Sequence, residues 1–368
     1  MPSVPIRGIA VRSLGVAVAA LAFHLVLVAS LLAQADGRVD SFVKFGAEGS
    51  NAELAARVLG QPVVHPTVES HDGVRFWVLA RDPLLLDPSG TAAALDFPAY
   101  RGQRILYPWL VQPWRLGGEW SLLWGMVVTN LLVVAGGTYA TARLAADRRA
   151  SPWVGLVFAL DPAVQLSVMY DLADALATAC VVTFVLLVRR RRWGWAAAAA
   201  TAAVLAKDTS LLPVLAVALF GAGIARRERA ALAVPPLLVV GAWTLYQRSR
   251  LGWGTSNVSG NLVPVPFAGW LDAARYGWAV NGAYDDALVG FVVLALAVVV
   301  VVRWWRRRSL ELLACLPVAL ATPFLALSVV NVNVNSLRSL GPVVVLLVVD
   351  LFAQRAEREQ PAELAPAT

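Results

Sequence analysis

Cysteine and histidine are scarce in this chain, which has two cysteines and three histidines among 368 residues. Cys180 and Cys315 both lie within apolar stretches, so the sequence indicates neither a disulfide framework nor a cysteine-based zinc site. Charged residues make up only 15% of the chain. Because soluble domains usually carry about 25% charged residues, this deficit argues against a soluble globular protein.

Apolar residues take the place of the missing charge: they form 58% of the chain, and the mean hydropathy is +0.65. This composition is typical of a polytopic membrane protein. The sequence predicts an all-α fold with about ten transmembrane helices. The apolar stretches lie at about 13–34, 120–142, 153–169, 173–188, 194–206, 210–224, 231–246, 286–302, 310–330 and 340–353. Several are short, so flanking residues must complete those spans.

A single transmembrane domain is expected over residues 1–354, with a disordered cytoplasmic tail at 355–368. With a cytoplasmic N-terminus, the inner segments carry 18 arginines and lysines, whereas the short outer segments carry five. The positive-inside rule therefore places both termini in the cytoplasm. The two large loops, at about 35–119 and 247–285, are then extracytoplasmic. The net charge of +7 reflects this topology better than it reflects nucleic-acid binding.

The first apolar stretch allows two interpretations. Arg7 and Arg12 before it and Ala33-Gln34-Ala35 after it also fit a secretory signal peptide. An apolar region of about 20 residues is longer than the usual 7 to 15, which favours an uncleaved anchor. The following loop is extracytoplasmic in either case.

Polar residues collect at the outer ends of the predicted spans. Besides Asp72 in the first loop, they are Arg101, Arg104, Asp171, Asp174, Lys207, Asp208 and Arg338. Each aspartate has an alternative role as a helix cap, and Arg101 and Arg104 could snorkel toward lipid headgroups. Charge at membrane depth is costly, and all these residues share one face. We therefore expect them to converge on one cavity. Asp161, in mid-span before Pro162, has no explanation at this level.

Five motifs in order resemble the C-type (GT-C) superfamily of integral membrane glycosyltransferases, in particular bacterial members linked to cell-surface glycopolymer formation. The motifs are HDGVRFWVLARDPL (71–84), YRGQRILYP (100–108), YDLADAL (170–176), LAKDTSLLP (205–213) and SLRSLGP (336–342). They cover nearly the whole chain. The resemblance implies a multi-pass enzyme of the bacterial plasma (inner) membrane.

The same resemblance implies an inverting transfer of a sugar from a polyprenyl-phosphate donor to a glycan or lipid acceptor at the extracytoplasmic face. Asp72 would be the general base, with Gly73 letting the backbone turn and with Phe76 and Trp77 seating the loop at the membrane interface. The donor phosphate would be bound by Arg338, Arg101, Arg104 and Lys207, and the supporting residues would be Asp171, Asp174, Asp208 and Tyr107. The implied partners are membrane lipids, the lipid-linked donor and the acceptor.

No metal site is predicted, although a divalent metal held by an aspartate, or by His65 and His71, stays open. A transporter or lipid flippase is the main alternative function. It would need a polar pathway to both faces, often with internal repeats, and the sequence displays neither. A non-catalytic scaffold for cell-surface polymer assembly is a third reading.

The count of basic residues leads to a test of topology. Reporters fused after Arg192 and after Arg308 should report the cytoplasm, and a reporter fused after Gly90 should report the extracytoplasmic side. A cytoplasmic signal from the Gly90 fusion would contradict both the orientation and the location of the candidate site.

Overall fold

The structure, a computed structural model, describes residues 6–46, 50–63, 71–253 and 261–359. Regular structure in these ranges is helical, and Leu262 and Leu325 form an isolated antiparallel β-bridge. The first ten helices are α1 Ile6–Gln34, α2 Ser50–Leu59, α3 Asp72–Arg81, α4 Pro88–Ala93, α5 Pro98–Arg101, α6 Leu106–Val111, α7 Glu119–Asp147, α8 Leu156–Leu160, α9 Pro162–Tyr170 and α10 Asp174–Arg189. The remaining helices are α11 Trp193–Ala206, α12 Leu211–Phe220, α13 Arg226–Leu251, α14 Ala268–Asp272, α15 Ala279–Asn281, α16 Tyr284–Arg307, α17 Leu310–Ala321, α18 Leu327–Val330, α19 Asn333–Ser339 and α20 Gly341–Glu359.

Four of these helices, α1, α7, α13 and α16, are long and apolar enough to cross a membrane. The helices α8 and α9, with the 3-10 turn Pro152–Gly155 before them, form a fifth candidate span that is bent by 52°. Each of the ten predicted stretches contains a helix, and the fold is compatible with a multi-pass membrane protein, as expected. Ten complete crossings are not confirmed, because helices such as α11, α12 and α17 are apolar but short.

The bend between α8 and α9 explains Asp161. This residue is the N-cap of α9, and its Oδ1 accepts hydrogen bonds from the backbone N–H groups of Ala163 at 2.9 Å and Val164 at 3.4 Å. Pro162 then occupies the first helical turn, where its missing N–H costs nothing. An N-cap aspartate followed by proline thus ends one half-helix and starts the next.

Helix α10 lies at the centre of the bundle and packs against α7, α9, α11, α12 and α20. Its buried face includes Val181, Val182, Phe184 and Val185. The neighbouring α11 is rich in alanine, and these small side chains let its backbone come close to α10 and α13. Close helix packing therefore holds α10 in place, together with the residues at its two ends.

The two ends of α10 carry opposite charges, Asp174 at the start and Arg189 at the end. At 1.5 Å per residue, these positions are roughly 22 Å apart. At the Arg189 end, the fully buried Glu311 accepts hydrogen bonds from Arg189 at 2.5 and 2.9 Å and pairs with Arg148 at 3.5 Å. We call this the arginine-rich end, since it also contains the basic residues at the end of α16. The sequence analysis did not identify the role of Glu311.

The last helix extends further than expected. Helix α20 continues to Glu359, so residues 355–359 are helical and do not belong to a disordered tail. The arginine-rich end gives the reason, because Glu357 on this added turn binds Arg148 at 2.8 Å and Arg307 at 2.5 Å. The remaining tail, residues 360–368, lies outside the described residues.

Two adjacent glycines of α7 provide a test of this packing. A Cβ at Gly137 would come within 2.2 Å of the Phe158 ring, whereas a Cβ at Gly136 would have nothing within 4 Å. We expect Gly137→Ala to lower the free energy of unfolding by about 1–3 kcal/mol through overpacking. Gly136→Ala, the control, should raise it by up to about 1 kcal/mol, because alanine favours the helix. Thermal unfolding of the purified variants in one detergent measures both, and equal midpoints would contradict the contact.

Candidate functional site

Asp72 is the first residue of a helix, α3, and not part of an irregular loop. The role expected for Gly73 is therefore wrong, because Gly73 lies inside this helix and forms no turn. A Cβ at Gly73 would come within 2.4 Å of the Tyr170 carbonyl oxygen and 3.0 Å of the Val43 carbonyl oxygen. The missing side chain lets α3 approach these two backbone segments, and this contact fixes the position of Asp72.

The aromatic residues after Asp72 are buried and do not seat the segment at the membrane interface. Phe76 is 4% exposed and Trp77 is fully buried. The Trp77 ring packs edge-on against Phe45 at 5.1 Å, and the Phe76 ring packs edge-on against Tyr107 at 5.5 Å. These contacts anchor α3 in the protein core, so the interfacial role expected for Phe76 and Trp77 is wrong.

The Asp72 carboxylate is held between two arginines. Arg101 donates to Oδ1 at 2.8 Å from its Nη1, and Arg338 donates to Oδ2 at 2.7 Å from its Nη2. Arg101 ends the short helix α5, and Arg338 is in the last turn of α19. Arg338 is 266 residues from Asp72 in sequence, so tertiary packing alone brings the two together.

Asp174 extends this arrangement on the other side of Arg338. Its Oδ2 accepts a hydrogen bond from Arg338 Nε at 2.7 Å, and its Oδ1 accepts one from Lys207 Nζ at 2.6 Å. Lys207 also donates to the Arg338 backbone carbonyl at 3.1 Å. Asp174 is only 4% exposed. One buried carboxylate thus fixes the two cations that come from the C-terminal ends of α11 and α19.

Arg104 and Asp208 are a weaker part of the same cluster. Arg104 Nε lies 3.5 Å from Asp208 Oδ1, and the guanidinium lies 4.9 Å from the centre of the Tyr100 ring. Arg101 and Arg104 do not share one helix, because α5 ends at Arg101 and α6 begins at Leu106. Both arginines still contact the cluster.

Two members of the cluster were missed by sequence reasoning. Asp96 accepts two hydrogen bonds from Arg101, at 2.9 and 2.8 Å, and lies 3.2 Å from Arg75. Arg75 is one turn after Asp72 on α3, and Asp96 is five residues before Arg101. The spacing of Arg75 from Asp72 was an available signal, since side chains at such positions share one face of a helix.

Tyr107 and Asp171 lie outside this ion-pair cluster. Asn130 of α7 donates from its Nδ2 to the Tyr107 hydroxyl at 2.9 Å and to Asp171 Oδ1 at 3.3 Å. The Tyr107 hydroxyl in turn donates to the Met126 carbonyl at 3.0 Å. Asp171 also has a left-handed backbone, with φ of 51°, where α9 ends. These buried contacts join α6, α7 and the end of α9, and they involve no cation of the site.

We refer to nine residues as the ionic site. They are the acidic Asp72, Asp96, Asp174 and Asp208 and the basic Arg75, Arg101, Arg104, Lys207 and Arg338. With every group ionised, the site carries one positive charge in excess. The side chains of Asp72 and Arg338 are 18% and 13% exposed, so the site is shielded but reached by solvent.

The cations determine the protonation of these carboxylates. Burial alone raises the pKa of Asp72, but the guanidiniums of Arg338, Arg101 and Arg104 outweigh it and hold the pKa well below its ordinary range. For Asp96, burial is likewise outweighed by Arg101 and Arg75, which lower the pKa to about 2. Both groups are therefore ionised at neutral pH.

This geometry suits anion binding and places a condition on proton transfer. Planar guanidinium groups match the oxygens of a phosphate as well as those of a carboxylate. A general base works best with a pKa near the operating pH, and Asp72 in its double ion pair is far below that value. Asp72 can accept a proton efficiently only after at least one arginine has left it.

A metal site receives no support from the described residues, in which no three His, Cys, Asp or Glu side chains lie close enough to hold an ion. His71 stacks on the Tyr170 ring at 5.0 Å, and Lys44 Nζ lies 5.6 Å from the centre of the same ring. His65, the other proposed ligand, lies outside the described residues.

Comparison with known proteins leaves the family open. No protein-family model, no curated protein and no solved structure matches this chain. The resemblance to C-type glycosyltransferases therefore rests on the five sequence motifs alone. All five of these motifs contribute a residue to the ionic site or to the adjoining contacts of Asn130 with Tyr107 and Asp171.

The ion pairs of Asp174 should dominate the stability of this end of the molecule. Asp174→Asn leaves Arg338 and Lys207 short of a buried counter-charge, so we expect the free energy of unfolding to fall by about 3–5 kcal/mol. The control is Asp147→Asn, which removes a 2.7 Å pair with Arg190 whose side chains are 28% and 33% exposed. That loss should be about 0–1 kcal/mol. Equal effects in thermal or denaturant unfolding would show that the buried pair has no special weight.

Proposed function

We propose that this chain is a membrane glycosyltransferase that moves a sugar from a polyprenyl-phosphate-linked donor to a glycan or lipid acceptor. It would act at the extracytoplasmic face of a bacterial inner membrane. The observation that carries the proposal is the Asp72 carboxylate held between Arg101 and Arg338, at 2.8 and 2.7 Å, in a predominantly apolar helical protein. This arrangement combines a proton acceptor with the cations that a departing phosphate requires.

Donor binding begins with an exchange of partners. The donor phosphate competes with Asp72 for Arg101 and Arg338, because phosphate and carboxylate oxygens fit the same guanidinium fork. The site has one positive charge in excess, so an added anion improves its charge balance. When an arginine leaves Asp72 for the donor phosphate, the main cause of the low pKa of Asp72 is removed. Binding of the donor thus converts Asp72 into a stronger base.

The transfer itself is a single displacement. The acceptor hydroxyl oxygen forms a bond to the anomeric carbon of the sugar, while the bond from that carbon to the phosphate oxygen breaks. The bonding electron pair leaves with the polyprenyl phosphate, whose charge Arg338 and Arg101 stabilise. Asp72 accepts the hydroxyl proton. Attack from the face opposite the phosphate inverts the anomeric centre.

The remaining cluster residues position this machinery. Asp174 binds Arg338 through Nε and leaves the outer nitrogen of the guanidinium for Asp72 or phosphate. Lys207 neutralises the second Asp174 oxygen at 2.6 Å. Arg338 is consequently held at its Nε, which reduces the entropy lost when its terminal nitrogens bind the donor. Asp96 holds Arg101 in the same way, by accepting hydrogen bonds from its Nε and Nη2.

A transporter or flippase of a lipid-linked sugar is a second candidate, favoured by two observations. The bend of 52° between α8 and α9 is a helix break inside an apolar span, and discontinuous helices often form substrate sites in transporters. The ionic site and the arginine-rich end also lie at opposite ends of α10. An assay of the two activities on one preparation separates the candidates.

The decisive variant is Asp72→Asn, which keeps the shape of the side chain and removes its proton affinity. We expect transfer to fall by about 10²- to 10⁴-fold, the usual range for a positioned acid or base. Binding of the donor should survive, because the arginines lose only a competitor. The measurement is sugar transfer by the full-length protein in nanodiscs with a polyprenyl-phosphate sugar, alongside equilibrium binding of the same donor.

Asp285→Asn is the matched control, since Asp285 is exposed at the start of α16 and takes no part in the ionic site. It should transfer at the wild-type rate. Arg338→Lys should instead weaken donor binding, because lysine provides a point charge in place of a fork. Wild-type transfer by Asp72→Asn would exclude the general-base role. Donor translocation across vesicles with no transfer by the wild-type protein would favour the transporter.

A further inference from the structure

We propose that the arginine-rich end binds the phosphate headgroup of an anionic membrane lipid, in a pocket between α16 and α20. This inference concerns the opposite end of the molecule from the ionic site and does not depend on the proposed transferase activity. The pocket has a volume of about 420 Å³. Its lining residues are Arg303, Arg306, Arg307, Leu351, Gln354 and Arg358.

Two of the four arginines already pair with acidic side chains of the protein. Arg303 binds Asp350 at 2.7 Å and Gln354 at 2.9 Å, and Arg307 binds Glu357 at 2.5 Å. Arg306 and Arg358 have no ion pair with any acidic side chain in the described part of the chain. The pocket therefore presents two guanidinium groups, one from each helix, with which no carboxylate of the described residues pairs.

A buried ion pair joins the two helices beside the pocket. Asp350 is fully buried, and the side chain of Arg303 is only 18% exposed. The Arg303–Asp350 pair thus links α16 to α20 beside the pocket. Arg306 and Arg358 are exposed beside the Arg303–Asp350 pair. They can turn toward one anion without breaking this pair. Two guanidinium forks can then share the oxygens of one phosphate.

The neighbouring surface favours a lipid over a soluble phosphate. Trp305, beside Arg306, is 72% exposed, and Leu351 and Phe352 on α20 are 39% and 47% exposed. Exposed tryptophans and arginines at the end of a long apolar helix mark the level of the membrane interface. A headgroup in the pocket would therefore have its acyl chains beside Leu351 and Phe352. Basic pockets between helices at this level are known to suit anionic headgroups.

The test is native mass spectrometry of the full-length chain in detergent, titrated with dioleoyl-phosphatidylglycerol or with dioleoyl-phosphatidylcholine. The variant R306Q/R358Q removes the two unpaired charges and leaves the Arg303 and Arg307 pairs intact. Each basic group near an anionic lipid contributes roughly a five-fold gain in affinity. We expect the variant to bind phosphatidylglycerol at least about ten-fold more weakly than the wild-type chain and to bind phosphatidylcholine equally well.

R226Q/R227Q is the matched control, because Arg226 and Arg227 are exposed at the start of α13 and do not line the pocket. It should retain phosphatidylglycerol binding within about two-fold. An equal loss in this control would overturn the proposal, since surface charge in general would then explain the binding. Unchanged binding by R306Q/R358Q would also overturn it. Competition by inorganic phosphate at the same concentration as the lipid would assign the pocket to a soluble anion and overturn the lipid proposal.

Discussion

A carboxylate that is buried in an apolar helical protein stays ionised only if cations are brought to it, and the bridge from Asp72 through Arg338 to Asp174 meets this requirement. Each of these three residues belongs to a different helix, α3, α19 or α10. Removing any one of them takes an ion-pair partner away from a charge that the bundle largely buries. The bridge therefore couples the segment around α3 to the centre of the bundle, and the rest of the candidate site is arranged around it.

The same bridge has two opposing effects on Asp72. The arginines that make burial of Asp72 tolerable also lower its pKa, and a carboxylate with a low pKa is a weak proton acceptor. Under the proposed function, the donor phosphate would bind the arginines in place of Asp72 and would release the carboxylate. In this view, the Asp72 carboxylate occupies the arginines in the resting state, and the donor phosphate would displace it during the reaction. The activity of the base would then depend on occupancy by the donor.

The bundle is polar at both ends and apolar between them. Asp174 and Arg189 terminate the same central helix, and each takes part in a network of ion pairs. Glu311 and Asp350 at the arginine-rich end are fully buried and paired with arginines from α10 and α16. Several helices between these networks are shorter than a full membrane span. Ion pairs at their ends and close packing along their lengths keep such short helices in register.

Residue patterns along the chain were sufficient to predict an all-helical membrane protein and to select Asp72, Arg338, Asp174 and Lys207 as neighbours. Hydropathy and the positions of charges between spans are local properties, and helices that alternate in direction bring every second end to one side. The sequence could not tell which carboxylate binds which cation. It also gave Gly73 the wrong role, because the close approach of α3 to Tyr170 is a contact between distant segments.

Tertiary structure alone decided the membership of the site. Asp171 and Asp174 are three residues apart and looked equivalent, yet Asp171 turns toward Asn130 and Asp174 toward Arg338. The left-handed backbone of Asp171 and the start of α10 point the two carboxylates in different directions. Asp96 belongs to the site because α5 holds Arg101 beside it. Charge type and membrane face follow from composition and periodicity, whereas ion-pair partners depend on helix rotation and crossing distance, which only the packed chain defines.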